Sequence, residues 1–305
     1  MIQSEGAMTA EVWPVTENLA AEIGDVDLSQ PLSQADWQVI DKAYRTYSVL
    51  IFPDQRISHD DHVAFARRFG PMDMSMMADL DQTEMRVPLE IADVSNLDAG
   101  GRILPETHRL REFQNGNRLW HTDSSFKKVP ANASLLYMQS IPPVGGQTEF
   151  ADMRAAYDAL PEATKRQIEG KVAMHSIATS RAKLGFAMSE AENATYPRVP
   201  QVMVRTHAHN GRKSLYIASH AGEIVGMSDD EARALLAALI EHATQRQFVY
   251  CHRWRANDLV VWDNRCTMHR GLAFDDLRWP RDAQRATALD VGSTCEQEGV
   301  TIAAE

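Results

Sequence analysis

Ala133-Ser134-Leu135-Leu136-Tyr137-Met138-Gln139-Ser140-Ile141-Pro142-Pro143-Val144-Gly145-Gly146-Gln147-Thr148-Glu149-Phe150 is the stretch from which the fold reads most directly. Ala133 to Ser140 and Gln147 to Phe150 are strand-like. Pro142 to Gly146 between them can only turn, since proline lacks a backbone donor and glycine accepts left-handed conformations. Upstream, Ser48-Val49-Leu50-Ile51-Phe52, closed by Pro53, suits a buried strand. Ser58 with Asp61 then resembles a capping box, and Val63, Phe65, Ala66 and Phe69 give the following helix its apolar stripe before Gly70-Pro71.

Downstream, helices are predicted over Met153 to Leu160 and Glu162 to Glu169. Further strand-like stretches are Val172 to Ser176, Val202 to Thr206, Ser214 to Ala218, Phe248 to Trp254, Leu259 to Trp262 and Ala286 to Leu289. One strong helix interrupts them: it starts at Ser228, has Glu231 at the capping-box position, and carries Leu235, Leu236, Leu239 and Ile240 on one side. Many short strands with few helices predict a mainly β chain, a sandwich or jelly-roll carrying helices outside its sheets. Neither a repeat nor a linker divides it, so one domain over residues 1–305 is expected. Residues 72–116 are irregular, with a methionine-rich start and a Gly100-Gly101 turn, and read as an active-site loop or lid.

The 305 residues are 44% hydrophobic, enough for a substantial core. A net charge of −11 argues against nucleic acid, whose phosphates need clustered Lys and Arg. A small anionic substrate remains compatible, given a locally basic site. Cys251, Cys266 and Cys295 form no CxxC pair, which argues against a disulfide framework or thiolate zinc site and suits a reducing cytoplasm. No window is apolar enough to cross a bilayer, and Met1 to Trp13 lacks the features of a signal peptide. The oligomeric state stays open, a homo-oligomer included.

Chemistry concentrates at Trp120-His121-Thr122-Asp123. If this segment is extended, His121 and Asp123 point to one face, because side chains alternate along a strand. The other His-x-Asp, His59-Asp60-Asp61, lies at a predicted helix start, where residues two apart diverge. His269, beyond the turn Asp263-Asn264-Arg265, is the best third ligand. Two imidazoles and a carboxylate make the facial triad of non-haem Fe(II) oxygenases, leaving half the coordination sphere for a keto acid and O₂.

Three segments then carry a resemblance: Asn117 to Phe126, Gly145 to Phe150, and Trp262-Asp263-Asn264-Arg265-Cys266-Thr267-Met268-His269-Arg270-Gly271. In residues, order and spacing they resemble the taurine dioxygenase family, from about Val49 to Leu289. Asp152 to Leu160 and Glu241 to Tyr250 look closer to its 2,4-dichlorophenoxyacetate dioxygenase branch. The resemblance implies a double-stranded β-helix, Fe(II) on His121, Asp123 and His269, and 2-oxoglutarate and O₂ as cosubstrates. It implies that Thr148 and Arg281 hold the outer carboxylate of 2-oxoglutarate, and that Arg285, four residues on and just before Ala286-Thr287, binds the substrate's acid group. A guanidinium suits both tasks, forming two parallel bonds to a carboxylate as lysine cannot. The interval from His269 to Arg281, with Trp279-Pro280 in it, is slightly longer than the family's. Asn117, His207 and His220 match positions lining the substrate site, and Trp120 and Trp262 are assigned to packing around the metal.

The implied reaction hydroxylates the carbon beside the acid group of an aryloxyalkanoate while 2-oxoglutarate becomes succinate and CO₂. An ether at that carbon then falls apart to a phenol and a 2-oxo acid. Asp123 favours hydroxylation, because related halogenases lack this carboxylate. The competing readings are an alkylsulfonate (taurine) dioxygenase, a zinc hydrolase with the same ligands, and a non-enzymatic jelly-roll that binds a small acid.

Overall fold

The computed structural model describes residues 10–76 and 86–302. The chain opens with β1 (Glu11–Pro14), β2 (Ala20–Gly24), α1 (Gln34–Tyr47), β3 (Val49–Phe52), α2 (His59–Ala66), β4 (Ile91–Asp93) and α3 (Arg109–Gln114). The central part holds β5 (Ala131–Ser140), β6 (Thr148–Asp152), α4 (Met153–Asp158), α5 (Glu162–Ile168), β7 (Val172–His175), α6 (Ile177–Ala182) and α7 (Glu190–Thr195). There follow β8 (Val199–Val202), β9 (Val204–Thr206), β10 (Lys213–Leu215), β11 (Ala221–Ile224) and α8 (Asp229–Ala243). The chain closes with β12 (Val249–His252), β13 (Leu259–Asp263), β14 (Thr267–Gly271), β15 (Asp282–Leu289) and α9 (Thr294–Gln297).

Seven strands form the main sheet in the order β1-β2-β3-β13-β5-β15-β4, and β12-β6-β14 form a second sheet. Smaller sheets are β11-β7-β8 and β10-β9. β5 explains why its sequence is an apolar run and not an alternating one: both faces are buried. Leu135 and Tyr137 pack with Ile40, Tyr44, Phe65 and Phe69, so this face is covered by α1 and α2. Leu136 and Met138 face inward with Phe150, Trp254, Val260 and Trp262, joining the two sheets. Truncating Leu135 or Leu136 to Ala should cost about 2–5 kcal/mol, because the rigid sheets cannot collapse into the gap. The outer side of the second sheet is closed by α4 and α8 through Met153, Tyr157, Leu236 and Leu239. This mainly β jelly-roll, with its helices outside the sheets, is the fold class expected from the sequence.

Both anticipated capping boxes form, Ser58 with Asp61 and Ser228 with Glu231. The fold departs from expectation in three respects. β1, β2 and α1 extend the fold ahead of the first anticipated strand, His269 lies inside a strand, β14, and the segment around Asp123 is not extended. Residues 72–116 carry β4 and α3; positions 77–85 of that predicted lid lie outside the described residues. Among the described residues, no helix is long and apolar enough to cross a membrane.

Candidate active site

His121 and His269 are fixed by the backbone before any metal is considered. They form an isolated antiparallel bridge, His121 N–H to His269 O at 3.0 Å and the reverse at 2.8 Å, with ring centroids 4.1 Å apart. β14 brings His269 opposite Phe150 of β6. After His121 the chain turns, and Ser124 adopts the left-handed region (φ 52°). Asp123 therefore reaches the histidines by a turn and not by strand alternation.

The ligand-capable atoms of His121, Asp123 and His269 all lie within 4.8 Å of one another, and all three residues are buried. His121 Nε2 is 3.8 Å from one Asp123 oxygen and His269 Nε2 is 3.6 Å from the other. His121 Nδ1 lies 2.8 Å from Leu119 O, so it carries the proton and leaves the Nε2 lone pair aimed at the carboxylate. Burial pushes the pKa of His121 down and that of His269 well down, so both are neutral at pH 7, as ligands must be. Burial would raise the Asp123 pKa, but Arg285, His269, His121 and the Ser134 hydroxyl overcome it and hold it at about 2.

A shell of polar groups fixes Asp123. Ser134 Oγ donates to Asp123 Oδ2 at 2.7 Å and accepts from Asn264 Nδ2 at 2.9 Å. Asn264 Oδ1 in turn accepts from the Asp123 amide at 3.0 Å and from Trp262 Nε1 at 3.1 Å. The other Asp123 oxygen takes the Arg285 guanidinium. An anionic, pre-oriented carboxylate beside two neutral imidazoles fits a divalent transition metal. The second such group, His207 with Asp263 and Cys266, does not. There Arg265 occupies Asp263 at 2.7 and 2.8 Å, and burial pushes the Cys266 thiol up to about 12.

Two cavities meet at the triad. The first is lined by His121, Thr148, Trp262, His269, Arg281 and Arg285, among others. Arg281 and Arg285 are four apart along the inward face of β15 and its entry, so both reach this interior. Among the described residues the Arg281 guanidinium has no carboxylate partner, and burial lowers its pKa to about 10. Thr148 Oγ1 accepts from Trp254 Nε1 at 3.0 Å. Because indole only donates, the Thr148 hydroxyl hydrogen is left free for an acceptor in the cavity. The longer interval before Arg281 is a loop pinned by Asn96, whose side chain bonds the carbonyls of Asp276 and Trp279 and the amide of Arg281.

The second cavity has Asp123, His121, His220, Arg181 and Arg285 at its polar end. Its apolar wall is Met74, Met76, Leu110, Phe113, Phe126 and Ile177. Asn117 borders both cavities, and His220 is fixed by Ser125 Oγ at 3.0 Å. His207 is the sequence-derived candidate that the fold does not bring here: it lines neither cavity and its ring sits by Asp263 and Cys266. Trp262 packs on His269 at 4.6 Å between ring centroids. Ser134, Asn96, Trp254 and Arg181 were not singled out from sequence. Asn264 belongs to the Trp262 to Gly271 motif, Ser134 and Trp254 to strand-like stretches, and nothing local marks any of them as a site residue.

Fold and triad together define the class of facial-triad metal oxygenases on a jelly-roll. The family model for the taurine catabolism dioxygenase TauD, TfdA family matches residues 11–287. The chain is 43% identical over 284 residues to the alpha-ketoglutarate-dependent 2,4-dichlorophenoxyacetate dioxygenase of Cupriavidus pinatubonensis, covering 93% of this chain and 99% of that one. It is 36% identical to the (S)-phenoxypropionate/alpha-ketoglutarate-dioxygenase of Sphingobium herbicidovorans, covering 87% and 90%. The crystal structure of AAD-2 in complex with Mn(II) and N-oxalylglycine superposes with a TM-score of 0.86 at 43% identity, covering 94% of this chain and 99% of that one. The chain belongs to the TauD/TfdA dioxygenase family, and is an Fe(II)- and 2-oxoglutarate-dependent dioxygenase that uses O₂.

Proposed function

We propose that this enzyme hydroxylates aryloxyalkanoates of the phenoxyacetate type at the carbon next to the carboxylate. One observation carries the reading: a cavity walled by Phe113, Phe126, Ile177 and methionine side chains ends in Arg285 beside the triad. A small anionic aryl acid fits both ends. His121, Asp123 and His269 would hold the iron, which when bound supplies the oxidising chemistry driven by O₂ and 2-oxoglutarate. Thr148 and Arg281 hold the outer carboxylate of 2-oxoglutarate in the first cavity.

Arg285 holds the substrate's acid group, which sets the adjacent carbon against the triad. Asn117 and His220 shape the polar end, while Phe113, Phe126 and Ile177 surround the ring and exclude water. His207 has no part in this site. The hydroxylated carbon is a hemiacetal; its hydroxyl proton passes to the ether oxygen as that C–O bond breaks, giving a phenol and a 2-oxo acid. Met74, Leu110 and Phe113 line one wall of the second cavity, so the described parts of residues 72–116 serve as its lid within a single catalytic domain. Cys251, Cys266 and Cys295 are all free, in keeping with a reducing, cytoplasmic setting.

Sulfur-containing acids are the alternative. The chain is only 28% identical to the alpha-ketoglutarate-dependent sulfate ester dioxygenase of Pseudomonas putida, and taurine has no ring for the apolar wall. A zinc hydrolase would have no use for a keto-acid clamp. The test is succinate release under air with phenoxyacetate, a phenoxypropionate and taurine. Phenol and succinate formed together with the aryl acids support the reading; stimulation by taurine alone, or equal rates with every acid, rejects it.

A further inference from the structure

Among the described residues, Arg181 is a buried cation with no carboxylate partner. It sits on α6, is only 5% exposed, and lines the polar end of the second cavity with Asp123, His121 and Arg285. Its Nε has no hydrogen-bond partner, and Nη1 makes a single long contact, 3.3 Å to Ser180 Oγ. Among the described residues it forms no ion pair, whereas Lys127 of the same cavity is matched by Asp73 at 2.7 Å. Burial, and secondarily Arg285, lower its pKa to about 10. A buried guanidinium left in this state destabilises the fold, since neither water nor an anion repays its desolvation.

The surroundings hold it there nonetheless. Its guanidinium carbon lies 4.3 Å from the centre of the Phe113 ring, which fixes the plane of the fork. Position 116 makes room for it: a Cβ added at Gly116 would come 1.9 Å from Nη1. The two guanidiniums of this cavity differ in status, because Arg285 is engaged by Asp123 and Arg181 by no carboxylate.

We infer that Arg181 is a second substrate-binding arginine, which takes the carboxylate of the aryloxyalkanoate together with Arg285 and so decides that this cavity admits aryl acids and not neutral aryl ethers. This rests on the function proposed above. Two cations converging on one anion supply the missing counter-charge, and the acid group of the substrate is the anion the reaction brings.

The experiment measures phenoxyacetate binding calorimetrically to the Mn(II) and N-oxalylglycine forms of wild type, Arg181→Met and Arg181→Lys. Arg181→Met should weaken phenoxyacetate by about 30-fold or more, as expected for truncating one member of a desolvated charge pair. Arg181→Lys should recover part of that loss, keeping charge but not the fork. N-oxalylglycine affinity should change less than about twofold in both, and the Tm of Arg181→Met should be unchanged or higher, because an apolar side chain replaces an unpaired buried charge. A merely structural arginine would instead lower Tm and weaken both ligands together, which overturns the inference, as does phenoxyacetate binding that survives in Arg181→Met. If wild type binds phenoxyacetate in an Arg181-dependent manner but releases no phenol from any aryl acid, the proposed reaction falls and the arginine clamp stands. If phenol forms and Arg181→Met binds normally, the reverse holds. Wild type that binds no phenoxyacetate overturns both.

Discussion

Ser134→Ala isolates the support behind the metal site. Ser134 is fully buried, and its hydroxyl both donates to Asp123 and accepts from Asn264. A hydrogen bond to a charged group contributes about 1.5–3 kcal/mol. With about 1.4 kcal/mol per tenfold, Asp123 should lose about 10- to 100-fold in Fe(II) affinity, the range usual for outer partners of metal ligands. Stability should also fall by about 1–3 kcal/mol, because the Asn264 amide keeps one buried donor unsatisfied. Protonation is not the cause: the Arg285 guanidinium still holds the Asp123 carboxylate below its ordinary range. The affinity ratio of variant to wild type should therefore be constant between about pH 6.5 and 8. The assay is anaerobic Fe(II) titration of the 2-oxoglutarate complex, with thermal unfolding in parallel. Unchanged Fe(II) affinity alongside a lowered Tm would show that Ser134 serves only the fold, and would refute the orienting role.

Further outcomes follow from the same geometry. Arg281→Met should raise the KM for 2-oxoglutarate by about 30-fold or more while leaving Fe(II) affinity near wild type, since one buried charge-assisted pairing is lost; steady-state succinate assays check it. Trp254→Phe removes the donor that turns the Thr148 hydroxyl toward the cavity, so the same KM should rise by about 2- to 10-fold, one neutral hydrogen bond. Acid should destabilise the apoprotein well before carboxylates titrate. Burial lowers His62 and His207 to about 4 and His175 to about 3, so all three are neutral when folded and protonate more readily when unfolded. Their folded pKa values lie below the unfolded 6.5, so stability is intact above 6.5 and drains as pH falls toward 4. Urea midpoints at pH 7.5, 6 and 5 should decline in that order, and His62→Leu should flatten the slope.

What the sequence discloses depends on how local the cause is. β3 and α2 are legible because an apolar run closed by Pro53 and a Ser58–Asp61 capping box are short-range signals, and both are realised. β14 is not, because Thr267-Met268-His269-Arg270-Gly271 spends its interior positions on a ligand and its pairing is set by β6, far away in sequence. The convergence of His121 with Asp123 is foreseen, but through strand alternation where the chain uses a turn at Ser124. His220 reaches the cavity and His207 does not, although each is a histidine in a strand-rich stretch; which side of the local sheet a residue faces is decided by packing. Arg181 gives no sequence signal, since only tertiary burial separates it from any other helix arginine.

The reaction requires one ferrous ion shared by His121, Asp123 and His269 beside a keto-acid clamp. Oxygen uptake measured together with succinate, in protein supplied with Fe(II), 2-oxoglutarate and phenoxyacetate, tests it most directly. One O₂ consumed per succinate formed, abolished by chelator and by His269→Ala, is the predicted result. Phenol release that proceeds without O₂, or uptake that persists in His269→Ala, would contradict it.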